Sequence, residues 1–312
     1  MRSDVDIPPR QPASSPAPPG SATTRRDSAT AVLLVVAVGL LMQCGSAVAV
    51  KVIDSVGVFE ALWLRTVLAA LMLAALHPRW LRLPKKGDRL LLLALTVCLV
   101  AMNLSFYEAI SRAPVGIVVA VEFLGPLAVA VAGSRRLLDL VWVVLAGVGV
   151  ALLARPSGSV GLAGLLLALA AAACWAGFIV IAKRTVSRIE PFRATTLMLV
   201  GASLIVTPIW LGTGVKIVGQ QRALLLGLAV AVLSSALPYF LELVAIKRVR
   251  ASTYGILLSI EPAIAALMGF LILSQRLAHR EIWAIVAIIV AAGGASWASP
   301  SVSGRRSREV GT

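Results

Sequence analysis

The sequence predicts an all-α polytopic membrane protein in which ten transmembrane helices form two inverted five-helix repeats. Three observations predict this class. Of the 312 residues, 59% are hydrophobic and only 14% are charged, long apolar runs recur along the chain, and its two halves resemble each other. An ordinary soluble domain has about 25% charged residues. The mean hydropathy of +0.93 therefore indicates a protein that lies in lipid.

The N-terminal segment differs from the rest of the chain. Residues 1–28 combine many prolines with Ser, Ala and Arg, a composition that cannot bury a core, so they are predicted to form a disordered cytoplasmic tail. The apolar run at 31–50 ends in Ala47, Val48 and Ala49, which resembles a signal-peptidase site. The run is nevertheless long enough to span a bilayer, and we expect it to remain as the first helix.

Nine further apolar runs approach the roughly twenty residues that cross a hydrocarbon core. The predicted helices lie near residues 58–76, 88–108, 114–133, 138–154, 159–182, 192–212, 222–246, 251–273 and 280–298. A short cytoplasmic tail, residues 300–312, is expected to follow them.

The basic residues predict the orientation. Most of the 29 lysines and arginines fall in the N-terminal tail, in every second loop and in the C-terminal tail. Cytoplasmic loops carry such an excess, so both termini are predicted to face the cytoplasm from the cell inner membrane. The net charge of +15 could also suggest a nucleic-acid partner. The charges lie in clusters between apolar runs rather than along one face, so we expect the bilayer and no nucleic acid.

Two segments of the chain align with each other. YEAISRAPVGIVVAVEFLGP ends at Pro126, and LVAIKRVRASTYGILLSIEP ends at Pro262. At that shift of 136, Arg112 meets Arg248. Apolar sequences also match by chance, which is the alternative explanation of this similarity. The alignment predicts one repeat over residues 29–156 and a second over 157–299.

The number of helices in each repeat determines how the repeats are related. Five is odd, so the second repeat must enter the membrane from the opposite side. Inverted repeats place a substrate near the midplane between the halves and allow alternating access. This architecture favours a transporter.

Several longer motifs resemble a known family. They are GIVVAVEFLGPLAVAVAGSRRLLDLVWVVLAGVG from Gly116, AACWAGFIV from Ala172, GLAVAVLSSALPYFLELVAIKR from Gly227 and SIEPAIAALMG from Ser259. From about residue 31 to 298 the chain resembles the EamA-type drug/metabolite transporter superfamily, and within it the threonine/homoserine exporter branch. The resemblance implies an inner-membrane carrier that exports small amino acids such as threonine and homoserine, is driven by protons, and needs no cofactor. Gln275 departs from it, since superfamily members typically carry a Gly-Glu pair at this turn.

Four charged residues fall inside the apolar runs. An ionised side chain at the bilayer centre costs about 2.5 to 3.5 kcal/mol on insertion scales, so each needs a partner, a cavity or a changed protonation state. These residues are Arg65, Glu122, Glu242 and Glu261.

Two of these carboxylates fall on equivalent helical faces. In the repeat alignment Glu261 meets Gly125, about one turn after Glu122. The pair is predicted to bind a substrate amine or to exchange protons. Alternatively, the carboxylates cap backbone groups freed by the nearby prolines or pair with Arg65. For Arg65 a structural ion pair and a substrate-carboxylate site are both open.

Uncharged polar and aromatic residues complete the predicted site. An amino acid needs hydrogen-bond donors, acceptors and an apolar wall. Small polar residues and aromatics also serve helix packing and interface belts, which is the alternative for each of them. The residues are Asn103, Ser105, Tyr107, Trp175, Ser234, Ser235 and Tyr239.

Other chemistries find little support in the sequence. Cys44, Cys98 and Cys174 lie in apolar runs without ligand spacing, and His77 and His279 lie in predicted loops, so neither a metal site nor a disulfide is expected. Paired aspartates or a nucleophile–base set, which a membrane-embedded enzyme would need, do not stand out. A scaffold would not need charged residues at equivalent intramembrane positions. Another solute, such as other amino acids, aromatic compounds or drugs, remains the alternative cargo, and the oligomeric state is left open.

Overall fold

The structure is a computed structural model that describes residues 21–76, 78–132, 138–153, 161–213, 220–248 and 261–298. Within these ranges the regular secondary structure is helical throughout, with no strand. The all-helical class predicted from the sequence is confirmed.

Twelve α-helices are present in the described ranges. The first six are α1 Ser21–Val56, α2 Val58–Leu76, α3 Lys86–Ile110, α4 Val115–Glu122, α5 Leu124–Ala132 and α6 Leu138–Leu153. The others are α7 Leu162–Val186, α8 Pro191–Thr213, α9 Gln221–Ala231, α10 Leu237–Arg248, α11 Glu261–Leu273 and α12 His279–Ala298. A π-helical turn, Val232–Ala236, joins α9 to α10.

Six of the described helical segments are long and apolar enough to cross a membrane. They are Ala37–Val56, Val58–Leu76, Lys86–Ile110, Leu162–Val186, Pro191–Thr213 and Gln221–Ala245. Shorter apolar helices cover Val115–Val129, Val141–Leu152 and Glu261–Leu273. The outer surface is apolar too: Leu90, Leu162 and Leu204 are 73%, 72% and 72% exposed, as expected where lipid is the solvent. The chain is a multi-pass membrane protein.

A single glycine separates α1 from α2. Gly57 has φ +103°, a conformation that L side chains rarely adopt. Its N–H donates to the Ile53 carbonyl at 2.8 Å, and its own carbonyl accepts from Ala61 N–H at 3.1 Å. One residue therefore connects the two helices.

The N-terminus of α1 differs from the sequence prediction. Residues 21–28 were expected in the disordered tail, but they belong to α1. The last proline of the tail is Pro19, so nothing after it stops the helix from extending toward the N-terminus. The remaining residues of the predicted tails, 1–20 and 300–312, lie outside the described residues.

Two predicted helices are interrupted in the structure. The run at 114–133 forms α4 and α5, which break at Phe123, and the run at 222–246 forms α9, the π-helical turn and α10. Pro126 and Pro238 follow these interruptions within one turn. Proline has no amide hydrogen and its ring crowds the carbonyl four residues earlier, so the regular hydrogen-bond ladder is disturbed at Glu122 and at Ser234.

The helices pack in pairs between the two halves of the chain. The helix α3 packs along α7, and α1 packs along α9, the π-helical turn and α10. The other pairs are α2 with α8, α4 with α11 and α6 with α12. The most deeply buried large side chains, among them Tyr107, Phe123, Phe178 and Tyr239, lie where these pairs meet.

Candidate functional site

A cavity lies where the two halves of the chain meet. It is bordered by α1, α2, α3, α4, α7, the π-helical turn, α10 and α11. Eight residues singled out from the sequence line it: Arg65, Asn103, Glu122, Trp175, Ser234, Tyr239, Glu242 and Glu261. Tyr107 and Ser235 contact Arg65, and Ser105 is not among the lining residues. The roles of these residues remain a prediction.

Arg65 is held in one orientation on α2. It is 3% exposed, its Nε donates to Ser235 Oγ at 2.8 Å, and its Nη2 donates to the Ser234 carbonyl and to the Tyr239 hydroxyl at 3.4 Å. The guanidinium carbon lies 5.1 Å from the centre of the Tyr107 ring. Nη1 donates to none of the described residues, so its two N–H groups remain for a ligand.

A proline creates part of this arrangement. Pro238 lacks the amide hydrogen that would bond to the carbonyl of Ser234 in a regular helix. The π-helical turn that contains Ser234 and Ser235 forms just before this proline, and such turns occur frequently at functional sites. The local sequence thus presents a carbonyl and a hydroxyl to Arg65.

A hydrogen bond continues from Arg65 to the opposite side of the cavity. The Tyr239 hydroxyl donates to Asn103 Oδ1 at 3.1 Å, which links α10 to α3. The side-chain amide nitrogen of Asn103, Nδ2, has no hydrogen-bond partner in the described part of the chain. It is a second donor group at the cavity wall.

Three buried carboxyl groups face the same cavity. Glu122, Glu242 and Glu261 are 9%, 3% and 5% exposed, and they lie close enough for their charges to interact. Glu122 also interacts electrostatically with Arg65. Burying carboxylates together is costly unless cations or protons compensate them. Arg65 is the cationic side chain among the residues that line the cavity, so the cavity can accept a further positive charge.

The position of Glu261 depends on a glycine in α1. A Cβ atom at Gly39 would lie 3.0 Å from Glu261 Cγ and 3.4 Å from Oε1. The same Oε1 is buried and has no hydrogen-bond partner among the described residues. A larger residue at position 39 would compete with this carboxyl group for space.

Aromatic and aliphatic residues form the apolar part of the wall. Trp175 meets Phe123 edge to face, with ring centres 5.1 Å apart, a favourable geometry for aromatic pairs. Phe106 and Val119 border the cavity from α3 and α4. This wall excludes water and strengthens the electrostatic interactions inside.

Sequence reasoning did not identify the contribution of α1. Gln43 and Ser46 line the cavity and are 3% and 6% exposed, with Val38 and Met42 beside them. The first helix was treated only as a membrane span. An amide in the middle of an apolar run was the available signal, because polar groups in lipid need a partner or a cavity.

Gln275 lies away from this cavity. Its Oε1 accepts a hydrogen bond from Val115 N–H at 3.2 Å, one of the N–H groups that have no partner within α4. The amide thus joins the turn between α11 and α12 to the start of α4. Among the described residues, no group of three or more His, Cys, Asp or Glu could hold a metal ion.

Comparison with known proteins identifies the family. The model of the EamA-like transporter family matches residues 162–297. The threonine/homoserine exporter RhtA of Escherichia coli strain K12 is 40% identical over 269 residues, which cover 85% of this chain and 90% of the relative. The protein of the same name from Salmonella typhimurium strain SL1344 is 40% identical over 258 residues, covering 82% and 87%. The chain belongs to the EamA-like transporter family.

This membership determines the broad class of activity. EamA-like proteins of this kind are transporters and not enzymes, and this one is a multi-pass protein of the inner membrane. A solved crystal structure aligns with a TM-score of 0.65 at 17% identity, covering 87% of this chain and 98% of its own. At that identity the similarity shows the fold alone.

Proposed function

We propose that this EamA-like transporter exports threonine and homoserine across the inner membrane. The observation that carries the proposal is a buried cavity between the halves that combines an oriented guanidinium with three carboxyl groups. The relatives with 40% identity are threonine/homoserine exporters.

The charges of the cavity complement those of an amino acid. The remaining Nη1 donors of Arg65 would bind the carboxylate through charge-assisted hydrogen bonds. The ammonium group would bind at the carboxyl groups, with Glu122 beside Arg65 as the first contact. One zwitterion would thus satisfy groups of both signs that are otherwise costly to bury.

The packing of the helices supports two inverted repeats over residues 29–156 and 157–299. If each half is divided into five spans, α3 is the third span and α7 the sixth, while α1 is the first and α9, the π-helical turn and α10 together form the eighth. Exchanging the halves converts the pair of α3 with α7 into the pair of α1 with the eighth span. The pairs α2 with α8, α4 with α11 and α6 with α12 join equivalent spans. This pattern is unchanged when the halves are exchanged.

Individual contacts follow the same relation. The shift of 136 that aligns Pro126 with Pro262 also aligns Cys98 with Ser234. A Cβ atom at Gly45 would lie 2.0 Å from Ser234 Oγ, and one at Gly177 would lie 3.4 Å from Cys98 Sγ. Gly45 aligns with Gly177 when the first helix of one repeat is matched with the first helix of the other. The contacts Gly45–Ser234 and Gly177–Cys98 are therefore equivalent when the repeats are exchanged.

An odd number of spans in each repeat supports a transport cycle with two states. The repeats would enter the membrane from opposite sides, with both termini in the cytoplasm and the cavity near the midplane. Rocking of one repeat against the other would then expose the cavity to each side in turn.

The carboxyl groups support coupling to protons. Glu122, Glu242 and Glu261 share one cavity with Arg65, so at least one would carry a proton while the cavity holds no substrate. The substrate ammonium would replace this proton. Exchange of a proton for an amino acid would use the inward proton gradient to drive export.

The experiment uses proteoliposomes loaded with labelled threonine or homoserine, with and without an imposed proton gradient. We expect efflux above that of protein-free liposomes loaded in the same way, and we expect the gradient to accelerate it. This acceleration should be lost in Glu122→Gln and Glu261→Gln. If proteoliposomes that contain well-folded protein release neither amino acid, the proposed cargo is refuted. Export of an aromatic compound or drug in its place would identify the alternative. Gradient dependence retained in both variants would refute the proton exchange while leaving transport intact.

A further inference from the structure

The face of α1 that borders the cavity carries two polar side chains. Gln43 and Ser46 are 3% and 6% exposed and line the cavity. Neither side chain makes a hydrogen bond to any residue in the described ranges. Buried polar groups are nearly always hydrogen-bonded, and an unsatisfied one costs about 1 to 3 kcal/mol. A ligand in the cavity is the partner that this arrangement leaves available.

A third polar group, the hydroxyl of Ser234, adjoins the same wall. Ser234 Oγ is buried without a hydrogen-bond partner among the described residues. It lies against Gly45, where a Cβ atom would be only 2.0 Å away. Gly45 lies between Gln43 and Ser46 in the sequence, so the absence of a side chain there lets α1 approach the π-helical turn at the height of both polar groups.

The spacing places these groups on one face. Gln43 and Ser46 are three residues apart and therefore lie about one helical turn from each other. Val38 and Met42 border the cavity from the same helix and provide apolar contacts. This wall fits a short aliphatic chain that ends in, or carries, one hydroxyl group.

The groups that would bind the carboxylate and ammonium of an amino acid lie on other helices. Arg65 lies on α2 and is fixed by Ser235 and Tyr239, and Glu122 lies on α4. The carboxylate and the ammonium would bind there, which leaves the substrate side chain as the part that can reach α1.

We infer that Gln43 and Ser46 bind the side-chain hydroxyl group of the transported amino acid and thereby select hydroxylated over aliphatic amino acids. The inference rests on the proposed function, because it assumes an amino acid in the cavity. It assigns to α1 the discrimination between a hydroxyl group and a methyl group. A site that hydrogen-bonds a substrate hydroxyl rejects an analogue that lacks it, since the polar groups of the site are then left unpaired.

The test compares pairs of amino acids of nearly equal size. Valine replaces the hydroxyl group of threonine with a methyl group, and norvaline does the same for homoserine. Purified protein in proteoliposomes exchanges labelled threonine, and each unlabelled amino acid competes. We expect threonine to compete about tenfold better than valine, or more. Gln43→Met and Ser46→Ala should each reduce this preference about 5- to 10-fold.

A matched control lies on the same helix. Ser55 donates a hydrogen bond to the Val52 carbonyl at 2.9 Å and does not line the cavity. Ser55→Ala makes the same chemical change as Ser46→Ala and should leave the preference unchanged. For a variant with too little transport, the preference is measured from the increase in melting temperature that threonine and valine each cause in detergent.

Each outcome decides for or against the inference. A reduced preference in both variants, with Ser55→Ala unchanged, supports it. Equal competition by valine and threonine in the wild type overturns it without any variant. An unaltered preference in both variants overturns it while the export function stands. Transport of neither threonine nor homoserine by the wild type overturns both.

Discussion

Arg65 Nε donates a hydrogen bond to Ser235 Oγ at 2.8 Å, which joins α2 in the first half of the chain to the π-helical turn in the second. Both residues are almost fully buried, at 3% and 1% exposure. The bond fixes the guanidinium beside the cavity in an environment where losing a partner is costly. The hydroxyl of Ser235 thus positions Arg65, and through it any anionic group bound there.

Removing this hydroxyl should weaken substrate binding. Ser235→Ala leaves a buried cationic donor without its acceptor, at a cost of about 1.5 to 3 kcal/mol. We expect the KM for threonine in proteoliposome exchange to rise about tenfold or more. Ser203→Ala is the control, because Ser203 bonds to the Leu199 carbonyl within α8 and does not line the cavity. Equal effects of the two substitutions would contradict the positioning role.

Close packing of α5 against α7 requires a glycine. A Cβ atom at Gly125 would lie 2.3 Å from the Ala172 carbonyl oxygen, so the helices would have to move apart. We expect Gly125→Ala to lower the free energy of unfolding by about 1 to 3 kcal/mol, seen as a lower melting temperature in detergent. Gly147→Ala, where a Cβ meets nothing within 4 Å, should leave it unchanged or raise it. A melting temperature of Gly125→Ala equal to that of the wild type would refute this packing.

Many of the residues that line the cavity could be predicted from the sequence, because ionised and polar groups in an apolar run are costly in lipid. Arg65, Glu122 and Glu261 stood out by the cost of an ionised group in an apolar run. Asn103 and Tyr239 could be predicted as cavity residues because they carry polar groups inside apolar runs. These residues could be named without knowing any contact between helices.

The remainder depends on properties that periodicity does not encode. Pro126 and Pro238 indicate that the helical hydrogen-bond ladder is disturbed in these runs, but hydrophobic periodicity does not tell whether the result is a break at Phe123 or a π-helical turn. Gln43 and Ser46 gain their significance only because Gly45 brings α1 close to Ser234. Such an approach is a property of the packed helices.

Ser274 adopts a backbone conformation that favours glycine. Its φ is 56°, in the left-handed region, which costs an L-residue roughly 1 to 2 kcal/mol. We expect Ser274→Gly to raise the free energy of unfolding by about 0.5 to 1 kcal/mol, since glycine also gains freedom in the unfolded chain. Thermal unfolding in detergent measures the change. Ser274→Ala keeps a Cβ atom and should bring no gain; an equal gain there would contradict the explanation.

The proposed topology places two similar serines on opposite sides of the membrane. Ser111 follows α3 and Ser187 follows α7, both are exposed, and both hydroxyls bond to the carbonyl three residues earlier. Three proposed spans separate them. In a background with the native cysteines replaced by serine, Ser111→Cys should react with an impermeant maleimide in intact spheroplasts. Ser187→Cys should react only after permeabilisation. The reverse pattern would refute cytoplasmic termini.

Equilibrium binding of labelled threonine to the purified protein tests the central proposal most directly, because it needs neither a gradient nor a topology. We expect saturable binding that homoserine displaces and that Arg65→Lys weakens at least about tenfold, since lysine lacks the planar guanidinium that bonds to Ser235 and Tyr239 while its Nη1 faces the substrate. Arg112→Lys is the matched control, because Arg112 is exposed and pairs with Glu108 on the surface, where such pairs contribute little. Absence of saturable binding to folded wild-type protein, or equal affinity in Arg65→Lys, would contradict the proposed site.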